Sequence, residues 1–359
     1  MPEAARVFVV AEAGVNHNGS LARALELVDA AARAGADAVK FQTFRADALA
    51  SPLAPKAGYQ RRATGGGDSQ RDMLRKLELD APAHRALRDR CRKRRIMFLS
   101  TPFDLESLAL LLELGVPMIK IGSGDLTNGP LLYAAARSGK PLILSTGMAS
   151  LREVEAALSL VACAALKRAA PRAVDLKKSW QSEAGRRAVR KRVTLLQCTT
   201  EYPAAPANLN LLAMNTLRER FGTRVGFSDH STGIAAAIAA AALGAVLVEK
   251  HLTLDRKLPG PDHAASLEPA GFAAMVAGIR EAERALGRAG KRPMKAELAN
   301  VPAARKSLVA LRAVRKGEAF SPANLAAMRP GGGISPMRYW EWLGKKATRD
   351  YAAGELVRP

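Results

Sequence analysis

Cysteine is scarce in this chain of 359 residues: Cys91, Cys163 and Cys198 are all there is, with no CxxC pair and no even framework. That excludes a disulfide-stapled scaffold and fits a reducing, cytoplasmic setting. Long apolar runs are also missing. None approaches the roughly 20 residues that span a bilayer, and Val7-Phe8-Val9-Val10 meets acidic Glu12 too soon to be a secretory core. We therefore expect no membrane partner. Acidic residues are the second shortage, 33 against 55 Lys and Arg, a formal charge of +22. Such an excess raises nucleic acid as a partner, so its distribution matters. Ten basic residues and two acids fall between Lys167 and Arg192, yet that stretch has one aromatic, Trp180. RNA-binding surfaces interleave aromatics for base stacking, so no nucleic-acid partner is expected; a basic surface also draws in an anionic substrate.

What the chain does have is rhythm. Its hydrophobic share of 48% is that of a globular protein. Short β-rich runs at 7–11, 38–41, 96–100, 118–121, 142–145, 193–198, 225–227 and 246–250 alternate with amphipathic helical patterns. One helix is expected over 21–34 with an N-cap at Ser20, one over 105–114 capped by Asp104, and one over 269–286. An open doubly wound sheet shares the alternation, but eight βα units favour a closed (β/α)8, or TIM, barrel. We expect the barrel over 1–287, a linker over 288–304 and a small β-rich domain over 305–359, with strand-like runs at 307–311 and 347–349. Two excursions interrupt the barrel. One, polar and glycine-containing, spans 45–70 at the exit of strand two; the basic one, about 165–192, enters strand six from the opposite rim as a solvated loop or extended helix.

In such a barrel the active site lies where strands end. Those positions hold Glu12, Lys40, Gln42, Ser100, Thr101, Lys120, Ser123, Ser145, Thr146, Thr199, Thr200, Tyr202, Ser228, His230 and His251, followed by Asp262. Each has a plain reading when taken alone: a turn hydroxyl, a surface ion pair, a loop histidine. Together they combine an anion site with a metal site. Buried Lys40 and Lys120 are costly without an anion, and hydroxyls beside them would complete its shell. His230 and His251, each just after an apolar run, would share a rim where two neutral nitrogens hold one divalent metal. Glu12 would then serve as general base or stabilise developing positive charge. His17 and His263 are expected to hydrogen-bond within loops, and His84 to sit on a surface helix.

The motifs Ala11-Glu12-Ala13-Gly14-Val15-Asn16-His17-Asn18-Gly19-Ser20, Lys40-Phe41-Gln42-Thr43-Phe44, Ser100-Thr101-Pro102-Phe103-Asp104, Lys120-Ile121-Gly122-Ser123-Gly124-Asp125 and Leu144-Ser145-Thr146-Gly147-Met148 lead an ordered set. Cys198-Thr199-Thr200-Glu201-Tyr202-Pro203, Gly226-Phe227-Ser228-Asp229-His230, Glu249-Lys250-His251-Leu252-Thr253 and Gly260-Pro261-Asp262-His263 continue it. The whole resembles the bacterial N-acetylneuraminate (sialic acid) synthase family. The tail Arg329-Pro330-Gly331-Gly332-Gly333-Ile334-Ser335-Pro336 resembles the antifreeze-like (SAF) domain those synthases carry.

The resemblance implies a metal-dependent transferase that condenses phosphoenolpyruvate with N-acetylmannosamine and water, by C–O cleavage, to N-acetylneuraminate and phosphate. An alternative is N,N'-diacetyllegionaminate synthesis from 2,4-diacetamido-2,4,6-trideoxymannose; a different class altogether is a basic nucleic-acid-binding barrel without catalysis. Carried over by position, Lys40, Thr101, Lys120, Ser123, Ser145, Thr200 and Ser228 would hold phosphoenolpyruvate. His230 and His251 would bind the metal, Mn2+ first with Mg2+ or Co2+ as alternatives, and Glu12 would assist water addition. Gln42, Tyr202 and Asp262 would contact the sugar, Asp262 also lying near the metal's water. Arg329 would reach the N-acetyl group from a partner subunit in a domain-swapped homodimer. Thr200 departs from the Asn of some members, and the basic insertion has no counterpart.

Overall fold

Residues 6–166 and 171–359 are described by a computed structural model. Its strands are β1 (Phe8–Gly14), β2 (Ala38–Thr43), β3 (Met97–Pro102), β4 (Ile119–Ile121), β5 (Leu142–Ser145), β6 (Val193–Cys198), β7 (Arg224–Asp229) and β8 (Leu247–His251). They form one parallel sheet in the order β3-β2-β1-β8-β7-β6-β5-β4. Because β1 pairs with both β2 and β8, the first strand closes onto the last, which an open doubly wound sheet cannot do. β3 and β4 flank one another at the remaining junction. The fold is thus a nearly closed (β/α)8 barrel.

Period-two alternation explains where the chemistry lies. Val10, Ala38, Leu99, Ile143, Leu196 and Leu247 meet inside the barrel as an apolar floor. Two residues further along the same strands stand Glu12, Lys40, Thr101, Ser145, Cys198 and Glu249, which therefore face the same interior one layer higher. The intervening residues, such as Ala11, Val39 and Val248, face outward into the large core shared with the helices. Several strands run further than their apolar residues suggested, to Gly14, Thr43, Pro102 and Asp229. Backbone pairing continues after hydrophobicity stops, so the polar rim belongs to the ladder itself.

The helix Leu21–Arg33 starts at Ser20, whose Oγ accepts from the Arg23 amide at 3.3 Å, and Leu105–Glu113 starts at Asp104, which accepts from the Ser107 amide at 2.7 Å. His84 lies on the expected surface helix, Ala81–Arg94, but on its inner face, where it is fully buried with Nε2 2.8 Å from Thr43 Oγ1 and Nδ1 2.9 Å from the Asp80 carbonyl. The excursion after β2 is not a plain loop. It carries helices Ala46–Leu49, Gly58–Thr64 and Gln70–Arg75. Much of the basic insertion is helical, Ala173–Gln181 and Glu183–Arg192, and Arg186 and Arg190 both pair with Glu183; Lys167 and Arg168 lie outside the described residues.

A second compact unit spans Arg288–Pro359. The stretch expected as linker contains one-turn helices Lys295–Leu298 and Val301–Ala304. Strand β9 (Ser307–Ala310) pairs antiparallel with β10 (Leu325–Met328) over a core that includes Phe320, Trp342 and Tyr351. No strand forms at 347–349; Ala347 instead makes backbone bonds to Gly317 and Glu318. Among the described residues no helix is long and apolar enough to cross a membrane.

Candidate active site

A cavity of about 320 Å³ opens at the C-terminal mouth of the barrel. Thirteen expected residues line it together: Glu12, Lys40, Gln42, Thr101, Lys120, Ser123, Ser145, Thr200, Tyr202, Ser228, His230, His251 and Asp262. Three rim candidates do not. Ser100 turns outward to Thr43 Oγ1 at 2.7 Å, Thr146 donates to the Leu196 carbonyl at 2.9 Å, and Thr199 donates to the Asn208 carbonyl at 2.8 Å. Arg329 belongs to the second unit, where its Nε donates to the Ala304 carbonyl at 3.1 Å.

The floor of the cavity is a closed set of four charges. Lys40 Nζ lies 2.5 Å from Glu12 Oε2 and 3.7 Å from Glu249 Oε2, and Lys120 Nζ lies 3.2 Å from Glu249 Oε1. Thr101 Oγ1 accepts from Lys40 at 3.0 Å, and Ser228 Oγ donates to Glu249 Oε1 at 3.1 Å. Burial pushes the Glu12 carboxyl up to about 7; Lys40 opposes that rise and the charge of Glu249 adds to it. Burial acts on Glu249 too, but Lys120 and Lys40 outweigh it and hold that carboxyl at about 2. Burial also lowers Lys120, partly offset by Glu249, whereas for Lys40 the two carboxylates outweigh burial and raise it. Glu249 was missed in the sequence. Its signal was there, two residues before His251 on one strand and hence on the same inward face.

Beside the lysines the hydroxyl shell is incomplete. Ser145 Oγ and Thr200 Oγ1 are buried without a hydrogen-bond partner, a costly state unless a ligand completes them. Ser123 Oγ accepts from the Gly147 amide at 3.0 Å. A Cβ at Gly147 would collide with Thr200 Oγ1 and Ser123 Oγ, so only glycine lets the backbone come this close.

At the upper end, His230 Nδ1 sits 2.6 Å from the Thr199 carbonyl. A carbonyl only accepts, so Nδ1 carries a proton, and Nε2 lies 3.4 Å from Ser228 Oγ; burial lowers His230, but Cys198 and the Thr199 carbonyl outweigh it and raise it. His251 Nδ1 is buried without a hydrogen-bond partner, 3.7 Å from Asp262 Oδ2. Burial drives His251 well below the usual histidine range and lifts Asp262 to about 6, with His230 and Lys40 opposing the latter. The two imidazole centroids are 5.5 Å apart. Tyr202 packs 4.2 Å from the His230 ring, and Tyr59 stacks on Tyr202 at 4.8 Å. His17 accepts from the Gly19 amide, and His263 bonds with Thr253 Oγ1 and Asn18 Oδ1.

The outer wall comes from the excursion after β2: Tyr59, Gln60, Gln70, Met73, Leu74 and Leu77 line the cavity with Leu49. None was singled out in the sequence. The apolar spacing of Met73, Leu74 and Leu77 after the Ser69 cap was the available sign.

The NeuB family signature matches residues 27–291, and the SAF domain matches 305–359. The chain belongs to the NeuB family. It is 47% identical to the N,N'-diacetyllegionaminic acid synthase of Campylobacter jejuni, over 98% of this chain and 99% of that protein. Identity to the N,N'-diacetyllegionaminic acid synthase of Legionella pneumophila is 40%, over 98% and 93%. A crystal structure of N-acetylneuraminic acid (sialic acid) synthetase from Leptospira borgpetersenii, in complex with citrate, superposes with a TM-score of 0.66 at 34% identity, covering 82% of this chain and 90% of that one. These values correct the N-acetylneuraminate specificity expected above. The motifs read from sequence line the barrel mouth and leave out its outer wall.

For the divalent metal expected from the resemblance, the donor chemistry fits in part. Two imidazoles face the cavity, and one buried nitrogen, His251 Nδ1, has no hydrogen-bond partner. Among the described residues no group of three His, Cys, Asp or Glu side chains converges to hold an ion. The histidine pair therefore suits a metal whose remaining positions belong to water or substrate.

Proposed function

We propose that this protein is an N,N'-diacetyllegionaminate synthase, condensing phosphoenolpyruvate with 2,4-diacetamido-2,4,6-trideoxymannose and water to give N,N'-diacetyllegionaminate and phosphate. The observation that carries the reading is full-length similarity to two synthases of that name, at 47% and 40% identity. The outer wall supports it: Met73, Leu74 and Leu77 offer apolar surface to a 6-methyl group and an added acetyl methyl, and Gln60 and Gln70 offer amides to an added acetamide.

In this reading Lys120, Lys40 and Thr101 with Ser123, Ser145, Thr200 and Ser228 hold phosphoenolpyruvate. Its arrival supplies partners to the two unsatisfied hydroxyls. Gln42, Tyr202 and Asp262 orient the sugar so that C3 of phosphoenolpyruvate attacks the aldehyde carbon. Water adds at C2, and Glu12, held near neutrality, accepts its proton. The C2–O bond to phosphate then breaks. One water proton ends on the former aldehyde oxygen and the other leaves with phosphate. A divalent ion at His230 and His251, Mn2+ first with Mg2+ or Co2+ as alternatives, supplies Lewis-acid polarisation of the aldehyde when bound.

Phosphate release from phosphoenolpyruvate, measured with the diacetamido sugar and with N-acetylmannosamine in parallel, tests the reading. We expect kcat/KM to favour the diacetamido sugar by at least about 10-fold. Turnover of N-acetylmannosamine alone would overturn it. We also propose a domain-swapped homodimer in which Arg329 reaches the acetamido group in a partner's barrel. Arg329→Ala is then expected to raise the sugar KM about 10-fold with kcat nearly unchanged; an unchanged KM removes Arg329 from the sugar site.

A further inference from the structure

His230 and His251 are flanked by charged residues that face away from the cavity. Asp229 precedes the first and Lys250 the second, and the two stand opposite one another in the β7–β8 ladder. Their side chains are completely buried and paired, Lys250 Nζ to Asp229 Oδ2 at 2.8 Å. The same ammonium donates to the Ser231 carbonyl at 2.8 Å, while Asp229 Oδ1 accepts from both the Ser231 amide, at 2.8 Å, and the Ser231 hydroxyl, at 2.6 Å. His230 is thereby gripped from both sides. Its carbonyl accepts from the Ala204 amide at 2.9 Å and its ring is tied to Thr199. Beyond His251, the Leu252 amide donates to the Glu12 carbonyl at 2.8 Å, and the Leu252 carbonyl accepts from Asn16 Nδ2 at 2.9 Å.

We propose that Asp229, Ser231 and Lys250 form a buried clamp that fixes the separation and aim of the two cavity histidines; they are positioning residues that touch no substrate. The physical ground is that a fully buried ion pair adds little stability over an apolar pair of similar size. This one spans the two strand ends that carry the histidines, and all its hydrogen bonds end on the residues beside them. Groups that orient a ligating imidazole change metal affinity and rate, since small displacements of a catalytic group are expensive.

The inference rests on the synthase reading, and the test separates the two. Full-length wild type, Asp229→Leu/Lys250→Met and Ser231→Ala are compared by thermal melting, by calorimetric titration with Mn2+, and by kcat and KM with phosphoenolpyruvate and the diacetamido sugar. The double variant removes both charges but leaves the Ser231 amide, hydroxyl and carbonyl without partners, so it is expected to stay folded with a lower melting temperature and to bind Mn2+ about 10- to 100-fold more weakly. Its kcat should fall by a similar factor with the KM for phosphoenolpyruvate nearly unchanged. A folded double variant with wild-type Mn2+ affinity and kcat would overturn the clamp. Should the double variant not fold, Ser231→Ala decides: it keeps both charges, and weaker Mn2+ binding with a lower kcat supports the clamp, whereas wild-type values for both overturn it. Wild-type protein that neither binds Mn2+ nor turns over would overturn the synthase reading itself.

Discussion

A full-length His251→Ala protein is expected to lose roughly 10²–10³-fold in kcat, comparable to removing one preorganised group from an active site, while its stability changes by no more than about 1 kcal/mol. The two effects separate because of where the ring sits. His251 ends β8 above the polar layer, so its loss opens no gap in the apolar floor formed by Val10, Leu99 and Leu247. Its Nδ1 makes no hydrogen bond, so truncation strands no buried partner. What goes is one of two imidazoles facing the cavity and an edge contact with Tyr202 at 5.5 Å. Steady-state phosphate release and a urea melt on the same preparation check both halves. A folded variant with wild-type kcat would remove His251 from the site, and a collapse of the barrel would show that the ring is structural.

Glu249→Leu is expected to behave in the opposite way, losing both fold stability and activity. The carboxylate serves Lys120 and Lys40 together and accepts from Ser228. Without it two ammonium groups share Glu12 alone on the buried floor of the cavity, and breaking a buried charge set by removing one partner costs about 3–5 kcal/mol. The pH dependence identifies the cause. Glu249 is held at about 2 against an ordinary 4.5, so its contribution is present above pH about 4.5 and lost as pH falls toward 2. Glu12 runs the other way. Raised to about 7, it favours the fold below pH about 4.5, and that contribution is lost as pH rises through 7. The stability gap between wild type and Glu249→Leu should therefore be largest at pH 7 and shrink by pH 3, as read from urea melts. A gap of equal size at both would mean that lost packing, not lost charge, explains the variant.

Much of the barrel was legible because each strand's apolar residues are buried on one or both faces and advertise themselves as runs. The ends of those strands were less legible. Gln42, Thr101 and Ser228 continue the ladder as polar residues, and apolar periodicity cannot follow them there. Glu249 was overlooked because it sits inside such a run, where a carboxylate reads as an interruption until its inward face is known. Ser100, Thr146 and Thr199 were over-read for the complementary reason: proximity to a strand end does not say which face a hydroxyl takes. The very basic helix that carries His84 read as a surface helix, and it is one; which of its positions turns inward, as His84 does to Thr43, was not legible. The outer wall lay beyond the motifs, since it comes from the polar excursion after β2, whose Tyr59, Gln60, Gln70, Met73, Leu74 and Leu77 line the cavity.

The amino-acid sequence by itself determined the class of barrel and the chemical types at its mouth: two lysines, hydroxyls, a carboxylate and two histidines at successive strand ends. It could do so because period-two burial and short apolar runs are local properties. Only the tertiary structure decided how those groups are joined. The pairing of β1 with β8 brings Glu12 beside His251 across the closure of the barrel, and it places Lys40 and Lys120 around a glutamate far from either in the chain. Charge pairing acts through space, so which residues neutralise one another, and which are left for a ligand, is fixed when the sheet closes.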